Sequence, residues 1–272
     1  MNIHFASDEK IAETSSKGNQ EKWYNKEAEK WYKVDQFGYE ALSETVISEL
    51  LELSNIESET EFEFVRYQME RVNVHGHDRT ACISLDFLKE GQSIVTLAHL
   101  LGKQLGGSLK EHLLNLPSDK QRIKYIVEMT ADITELEHFP QYLTLLFEID
   151  SLFLNDDRHL NNIAVIEKNG KYEYCPIFDN GAALLSNTQI ARMDISPNAL
   201  ITSLRARPFN MSFTRQMNTA RNLYGRQLKI PVLDKKYISE LLEPKLMYYP
   251  ARDRAIISER VEKCILTRQK LL

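Results

Sequence analysis

A run of polar side chains, Asn155-Asp156-Asp157-Arg158-His159-Leu160-Asn161-Asn162, lies between the apolar stretch Tyr142–Leu154 and an alternating segment. A further aspartate follows in Ile177-Phe178-Asp179-Asn180-Gly181. Hard divalent cations such as Mg²⁺ take carboxylate and amide oxygens in preference to thiolate or imidazole. Phosphoryl transfer needs those ligands, and a carboxylate to orient the attacking hydroxyl. Asp157 and Asn162 are five apart, the offset between base and metal-binding Asn in a phosphotransfer catalytic loop. Asp and Asn also cap helices and close turns, so an isolated pair says little. The clustering, with Asp179 beyond a hairpin, is what favours chemistry. Asn169-Gly170 is a strong hairpin signal, and a chain folded back there returns Asp179 toward Asn162.

Two neighbours in the run are ambiguous. Arg158 has the chemistry to face phosphate or to pair with Asp156. His159 has the chemistry to contact a ligand or to hold the loop from beneath by hydrogen bonds. It is not read as a metal ligand, because no second His lies at a suitable spacing.

Upstream, Ser15-Ser16-Lys17-Gly18-Asn19-Gln20-Glu21-Lys22 offers hydroxyls, a Gly and backbone N–H groups. These can form an anion-binding nest, although the Walker pattern is missing and a plain polar terminus has the same composition. Lys33 sits in the aromatic strand Glu29–Asp35, ahead of a helix that carries Glu44. That order matches the Lys–Glu ion pair that positions nucleotide phosphates in kinases. Lys33 also fits a solvated sheet edge, and Glu40, one turn before Glu44, is a competing partner. Trp23, Tyr24, Trp31 and Tyr32 suit packing in a small sheet better than stacking on a base. The adenine-facing strand is placed near Ala81–Phe87.

The elements that must hold these groups follow from periodicity. A helix of about 15 residues is predicted after Gly38, with Leu42, Val46, Ile47, Leu50, Leu51 and Leu53 on the apolar positions and Asn55 as its cap. Phe62–Tyr67 alternates as a strand does, and Thr80–Ser84 reads as another. From about Ser93 the period becomes helical, over Ile94–Leu101, Lys120–Thr130 and Phe139–Leu154. Asn162–Glu167 and Lys171–Cys175 form the hairpin. A long polar stretch then runs to Pro208, and helices resume at Phe213–Tyr224, Lys236–Leu246 and Arg252–Leu271. The expected fold class is α+β and bilobal. Residues 1–90 form a strand-rich N-lobe, and residues 91–272 a helical C-lobe with an embedded β-hairpin.

At 272 residues, a prior of about 150 residues per domain gives one large domain or two lobes. Hydrophobic residues at 43% and charged residues at 27% are ordinary for a soluble globular protein. The net charge of −5 argues against duplex DNA binding. Cys82, Cys175 and Cys264 lie far apart without CxxC spacing, as in a cytoplasmic protein with reduced thiols. Met1–Lys10 has no apolar core, so no secretory signal is expected. Tyr142–Leu154 is too short to span a bilayer and carries Glu148 and Asp150.

Four segments resemble the HipA-like kinases, Ser/Thr kinases distantly related to protein kinases and phosphatidylinositol kinases. Ser16-Lys17-Gly18-Asn19-Gln20-Glu21-Lys22 is similar to that family's Ser-x-x-Gly-x-Gln-x-Lys phosphate loop. Trp31-Tyr32-Lys33 is similar to its ATP-contacting strand, and Asn155-x-Asp157-x-His159-x-x-Asn162 to its catalytic loop. Asp179 resembles its second metal-binding Asp. The likeness covers about residues 12–185 and implies ATP and Mg²⁺ as cofactors. It implies Asp157 as catalytic base, with Lys33 on the phosphates paired to Glu44. Asn162 and Asp179 are implied as metal ligands. Ser15, Ser16, Gly18, Gln20, Lys22 and His159 complete the nucleotide site. The implied acceptor is a Ser or Thr of a protein, with autophosphorylation at or near Ser15 and Ser16. The compact size resembles the minimal, CtkA-like members rather than those with an extra N-terminal subdomain. Asp157-Arg158-His159 with Asn162 is also the spelling of phosphatidylinositol kinases, so a lipid or small-molecule kinase stays open. So does a nucleotide-binding module without turnover. The lipid reading expects a basic membrane-facing patch, and Arg205, Arg207, Arg215, Arg221 and Arg226 are the stretch that offers one.

Overall fold

A computed structural model describes residues 21–106 and 108–272 of the chain. Strands β1 (Lys22–Asn25), β2 (Lys30–Val34), β3 (Gln68–Val74) and β4 (His77–Leu85) form an antiparallel sheet in the order β1-β2-β4-β3. One face buries Trp23, Tyr32, Val34, Val72, Val74, Ala81 and Ile83 as a small core of its own. Helix α1 (Glu40–Leu51) packs on the sheet and is buried on every side, Glu49 being its one residue that is not. Its polar residues are buried as well as its apolar ones, because Ser43, Glu44 and Ser48 find hydrogen-bond partners on the elements that enclose the helix.

Three further strands, β5 (Ser93–Thr96), β6 (Ala164–Lys168) and β7 (Lys171–Tyr174), make a second antiparallel sheet in that order. The β6–β7 turn is Asn169-Gly170, with φ of 54° and 80°. Positive φ at both central positions is what a type I′ hairpin requires, and Asn-Gly supplies it at least cost. The remaining helices are α2 (Ile56–Glu59), α3 (Leu97–Leu105), α4 (Leu109–Asn115), α5 (Asp119–Thr134), α6 (Phe139–Phe153), α7 (Pro197–Ser203), α8 (Phe213–Tyr224), α9 (Lys235–Leu246) and α10 (Ala251–Arg268). The fold is α+β, with a strand-rich smaller part and a helical larger one, as expected. Among the described residues no helix is long and apolar enough to cross a membrane.

Helix α6 is the axis of the large core, and thirteen of its fifteen residues are buried. Its two buried carboxylates are internal anchors. Glu148 takes Arg221 Nε at 2.5 Å and the Leu228 N–H at 2.6 Å, and Asp150 takes Arg158.

Several expectations need correction. The helix after Gly38 has twelve residues, and Leu53 beyond it is exposed. Asn55 does not cap it, but precedes α2 with φ of −81°. Phe62–Tyr67 is extended without being a strand. It forms a single parallel bridge, Phe64 to Ile177, with Val65 N–H donating to the Ile177 carbonyl at 2.9 Å. Ile94 lies in β5, because Thr96 caps α3 by accepting from His99 N–H at 3.3 Å, which fixes the helix start there. The polar stretch before Pro208 contains α7. Strand β1 places Trp23 and Tyr24 in the small sheet, although periodicity assigns no strand there.

Candidate active site

Lys33 lies on β2 with its side chain beneath the sheet. Its Nζ donates to Glu44 Oε1 at 2.6 Å, to Asp179 Oδ1 at 3.0 Å and to the Tyr67 hydroxyl at 3.3 Å. Glu44, rather than the competing Glu40, is therefore the partner. Glu40 turns instead to its own helix start, accepting from Phe37 N–H and Gly38 N–H at 2.7 and 3.0 Å. The second oxygen of Glu44 accepts from Asn180 N–H at 2.8 Å, which ties α1 to the segment carrying Asp179. Burial pulls the Lys33 ammonium down, but Asp179 and Glu44 outweigh it, so Lys33 stays charged well above its ordinary range. Burial opposes ionisation of Asp179 too, yet Lys33 and Lys22 hold its carboxyl well below the usual carboxylate range.

The catalytic-loop candidates follow the end of α6, where Leu154 takes a left-handed φ of 60° and turns the chain out of the helix. Asn155 Oδ1 accepts from Asp157 N–H at 3.2 Å, and its Nδ2 donates to the Asp179 carbonyl at 3.1 Å. Asn155 thus fastens the two halves of the site. Nothing but its place at the head of the motif announced it in the sequence. Asn162 Nδ2 donates to the Asp157 carbonyl at 2.9 Å, closing the loop on itself.

Arg158 neither faces phosphate nor pairs with Asp156. It is fully buried, and its guanidinium reaches Asp150, the Asn162 and Phe178 carbonyls at 3.2 and 2.7 Å, and Asn180 Oδ1 at 2.6 Å. It staples α6, the loop and the Asp179 segment together. His159 Nε2 stands 3.7 Å from Asp157 Oδ1, while its Nδ1 is buried without a hydrogen bond.

Lys22, Asp156, Asp157, Asn162 and Asp179 line one cleft of about 490 Å³, with Glu40, Gly181, Leu204 and Arg207 around it. Asp157 stands at the open mouth with its side chain 58% exposed. Partial desolvation lifts its carboxyl above its ordinary value; His159 opposes this and Asp179 adds to it. Desolvation and the adjacent Asp157 push Asp156 up to about 6. An adjoining apolar cavity, lined by Trp31, Lys33, Tyr67, Phe87, Ile94 and Phe178, shares Lys22 with the cleft. Trp31 also packs on Tyr24, with ring centroids 4.9 Å apart, so it both lines the cavity and belongs to the sheet. Ser15, Ser16, Gly18 and Gln20 lie outside the described residues.

The residues fit a hard divalent cation on two grounds. Asn162 Oδ1 is buried with no hydrogen-bond partner, although its own Nδ2 is satisfied. A buried amide oxygen left unpaired is costly unless something else takes it. It shares the cleft with the Asp179 carboxylate. Among the described residues no cluster of three or more His, Cys, Asp or Glu forms a protein-only cage. Mg²⁺ is commonly held by one or two side chains together with substrate phosphates, and Asn162 and Asp179 offer two such oxygen donors.

The basic stretch is not one surface. Arg215 pairs with Asp119 at 2.5 Å and Arg221 with buried Glu148, Arg205 and Arg226 donate to nearby carbonyls, and Arg207 lines the cleft.

No protein-family model matches the chain, and no curated protein sequence does. Among solved structures, the proinflammatory kinase CtkA of Helicobacter pylori is similar over 94% of this chain and 92% of its own, with a TM-score of 0.61 at 14% identity. HipA of Shewanella oneidensis MR-1, solved with HipB and operator DNA, aligns over 94% of this chain and 64% of its own, with a TM-score of 0.46 at 13% identity. The chain thus has the fold of the CtkA kinase, the architecture implied by its resemblance to the HipA-like kinases.

Proposed function

We propose that the chain is an ATP- and Mg²⁺-dependent Ser/Thr protein kinase of HipA-like type that also phosphorylates itself. The observation that carries this reading is Lys33 shared between Glu44 and Asp179 at 2.6 and 3.0 Å, beside a cleft that Asp157 and Asn162 also line. Such a Lys–Glu–Asp arrangement fixes a cation where phosphates must lie and leaves a carboxylate free at the mouth. The two lobes divide near residue 90.

Lys33, held by Glu44, and Lys22 on the neighbouring strand bind the phosphates from the sheet side. Asn162 and Asp179 hold the metal, which when bound offsets negative charge on the phosphate oxygens. Asp157 accepts the proton of the Ser or Thr hydroxyl as its oxygen bonds to the γ-phosphorus. The bond from that phosphorus to the β–γ bridging oxygen breaks, and ADP leaves. The cavity lined by Trp31, Phe87 and Phe178 is the place for the adenine. His159 steadies Asp157 electrostatically, and Ser15, Ser16, Gly18 and Gln20 are the remaining residues assigned to nucleotide binding.

A lipid acceptor is not favoured, since Arg221 is committed to buried Glu148 and so is withdrawn from any membrane-facing patch. Three buried, unpaired cysteines suit the cytoplasm. Incubation with labelled ATP and Mg²⁺ should label the chain itself, and Asp157→Asn should bind nucleotide without transfer. Mg-ATP at about 100 times its Kd should stabilise the fold by roughly 2.7 kcal/mol. If saturating Mg-ATP leaves the melting temperature unchanged, the reading is wrong.

A further inference from the structure

Helix α1 carries Glu44 to Lys33, so whatever fixes α1 fixes the phosphate-binding cation. Its inner face is held by the Asp179 segment. The Ser43 hydroxyl donates to the Asn180 and Ala183 carbonyls at 2.8 and 3.1 Å, and the Tyr39 hydroxyl just before the helix donates to the Leu184 carbonyl at 2.8 Å. The outer side meets the segment Lys245–Tyr249 of the helical lobe, directly through Lys245 and by way of Asp35 through Tyr249.

Lys245 is buried at the end of α9 and donates to Glu49 Oε2 at 2.7 Å and to the Leu241 carbonyl at 3.0 Å. Glu49 is the single residue of α1 that is not buried, so this contact falls where the helix is otherwise open. The chain then crosses to the four-stranded sheet. The Tyr248 carbonyl accepts from Arg71 Nη2 on β3 at 2.9 Å and from the Thr80 hydroxyl on β4 at 3.0 Å. The Tyr249 hydroxyl donates to Asp35 Oδ2 at 2.8 Å, and Asp35 Oδ1 accepts from Ala41 N–H, in the first turn of α1, at 2.6 Å. Arg254 Nε fixes the Tyr249 carbonyl from α10 at 2.9 Å.

Ala41 and Glu49 are eight residues apart, about 12 Å along the helix axis at 1.5 Å per residue. One anchor would leave a helix free to pivot; anchors on separate turns, opposite the inner contacts, remove that freedom. Small displacements matter, because misplacing a binding group by about 1 Å can cost roughly a hundredfold in rate. We infer that Lys245–Tyr249 is a strap from the helical lobe that clamps both ends of α1, making Lys245 and Tyr249 positioning residues for the Lys33–Glu44 pair. The effect on catalysis rests on the kinase reading; the clamp itself does not.

The test uses the full chain with Tyr249→Phe, which removes one hydroxyl, and Lys245→Met, which removes one charge at similar length. Hydrogen exchange without nucleotide should quicken about tenfold or more across Glu40–Leu51, with α6 unchanged, as expected when a local opening is favoured by that factor. The KM for Mg-ATP should rise severalfold. A role in bulk stability alone would lower the active fraction, and so the apparent kcat, and leave KM where it was. The exchanged pair Lys245→Glu with Glu49→Lys should restore slow exchange and low KM. Unchanged exchange in both single variants overturns the clamp, whether or not the protein proves to be a kinase. Faster exchange with an unchanged KM overturns the positioning role. Absence of phosphoryl transfer by the wild type overturns the kinase reading, and the exchange data still decide the clamp.

Discussion

Glu44 meets Lys33 Nζ at 2.6 Å through one oxygen and the Asn180 N–H at 2.8 Å through the other, so one carboxylate joins β2, α1 and the Asp179 segment. Both oxygens are needed as acceptors. In Glu44→Gln only one acceptor oxygen remains, so either Lys33 or Asn180 faces an NH₂ group. Removing one member of a buried ion pair costs about 3 kcal/mol or more. Urea denaturation should show a loss of that order, and kinetics a raised KM for Mg-ATP. Full stability and unchanged KM would sink this account.

Arg158 is the second buried junction. Its planar fork reaches four residues on three segments of the chain, and a lysine ammonium presents three donors from one point. Arg158→Lys should therefore lower stability by about 3 kcal/mol and abolish transfer, although no atom of Arg158 lines the cleft. Thermal unfolding and a labelled-ATP assay test this together. Wild-type activity in the variant would show that the loop does not depend on the staple.

The proposed base sets the acid limb of the pH–rate profile. Asp157 acts when ionised, so the rate rises with pH through its pKa. Desolvation lifts that pKa, and the limb should lie above the ordinary Asp value of about 3.9. Arg207, across the cleft, favours the ionised form. Arg207→Gln should therefore shift the limb to higher pH. A shift to lower pH would contradict the assigned geometry.

Asp35 gives stability an unusual slope. Burial pushes its carboxyl up to about 8; the Ala41 amide, Tyr249 hydroxyl and Arg79 oppose this, and Glu40 adds to it. In the unfolded chain the group ionises near 3.9. Between about pH 4 and pH 8 the native state thus keeps a proton that the unfolded state has lost, and this contribution to stability falls as pH rises. Asp35→Asn should flatten that part of the curve, by on the order of a few kcal/mol between pH 5 and 8. Parallel curves for the two proteins would rule it out.

The most legible parts of the chain were those where local chemistry and tertiary demand agree. Asn169-Gly170 fixed the hairpin, and helix Phe213–Tyr224 was read to the residue because Ser212 caps it. The catalytic-loop candidates were legible because polar groups follow a buried helix. Alternation in Phe62–Tyr67 holds only as far as Phe64, since Val65 is also buried and Arg66 turns outward, and that backbone makes a single bridge. Ile94, Leu97 and Leu101 share a helical spacing across a strand–helix boundary that only the Thr96 cap reveals. Strand β1 has four residues and little apolar pattern, so pairing with β2 had to supply what sequence did not. Where a long side chain ends was least legible. The sequence offers Arg158 a phosphate or Asp156 as partner, whereas its actual partners include groups 8 and 22 residues away.

Strands β1 and β2 set Lys22 directly across from Lys33. Side chains so paired stand about 5 Å apart at their Cβ atoms, and like charges there repel. On the kinase reading proposed above, any nucleoside triphosphate, whatever its base, would relieve that repulsion on arrival. Attraction to the phosphates would then carry no preference for adenine over guanine, and discrimination among nucleotides would fall to the apolar walls formed by Trp31, Phe87 and Phe178.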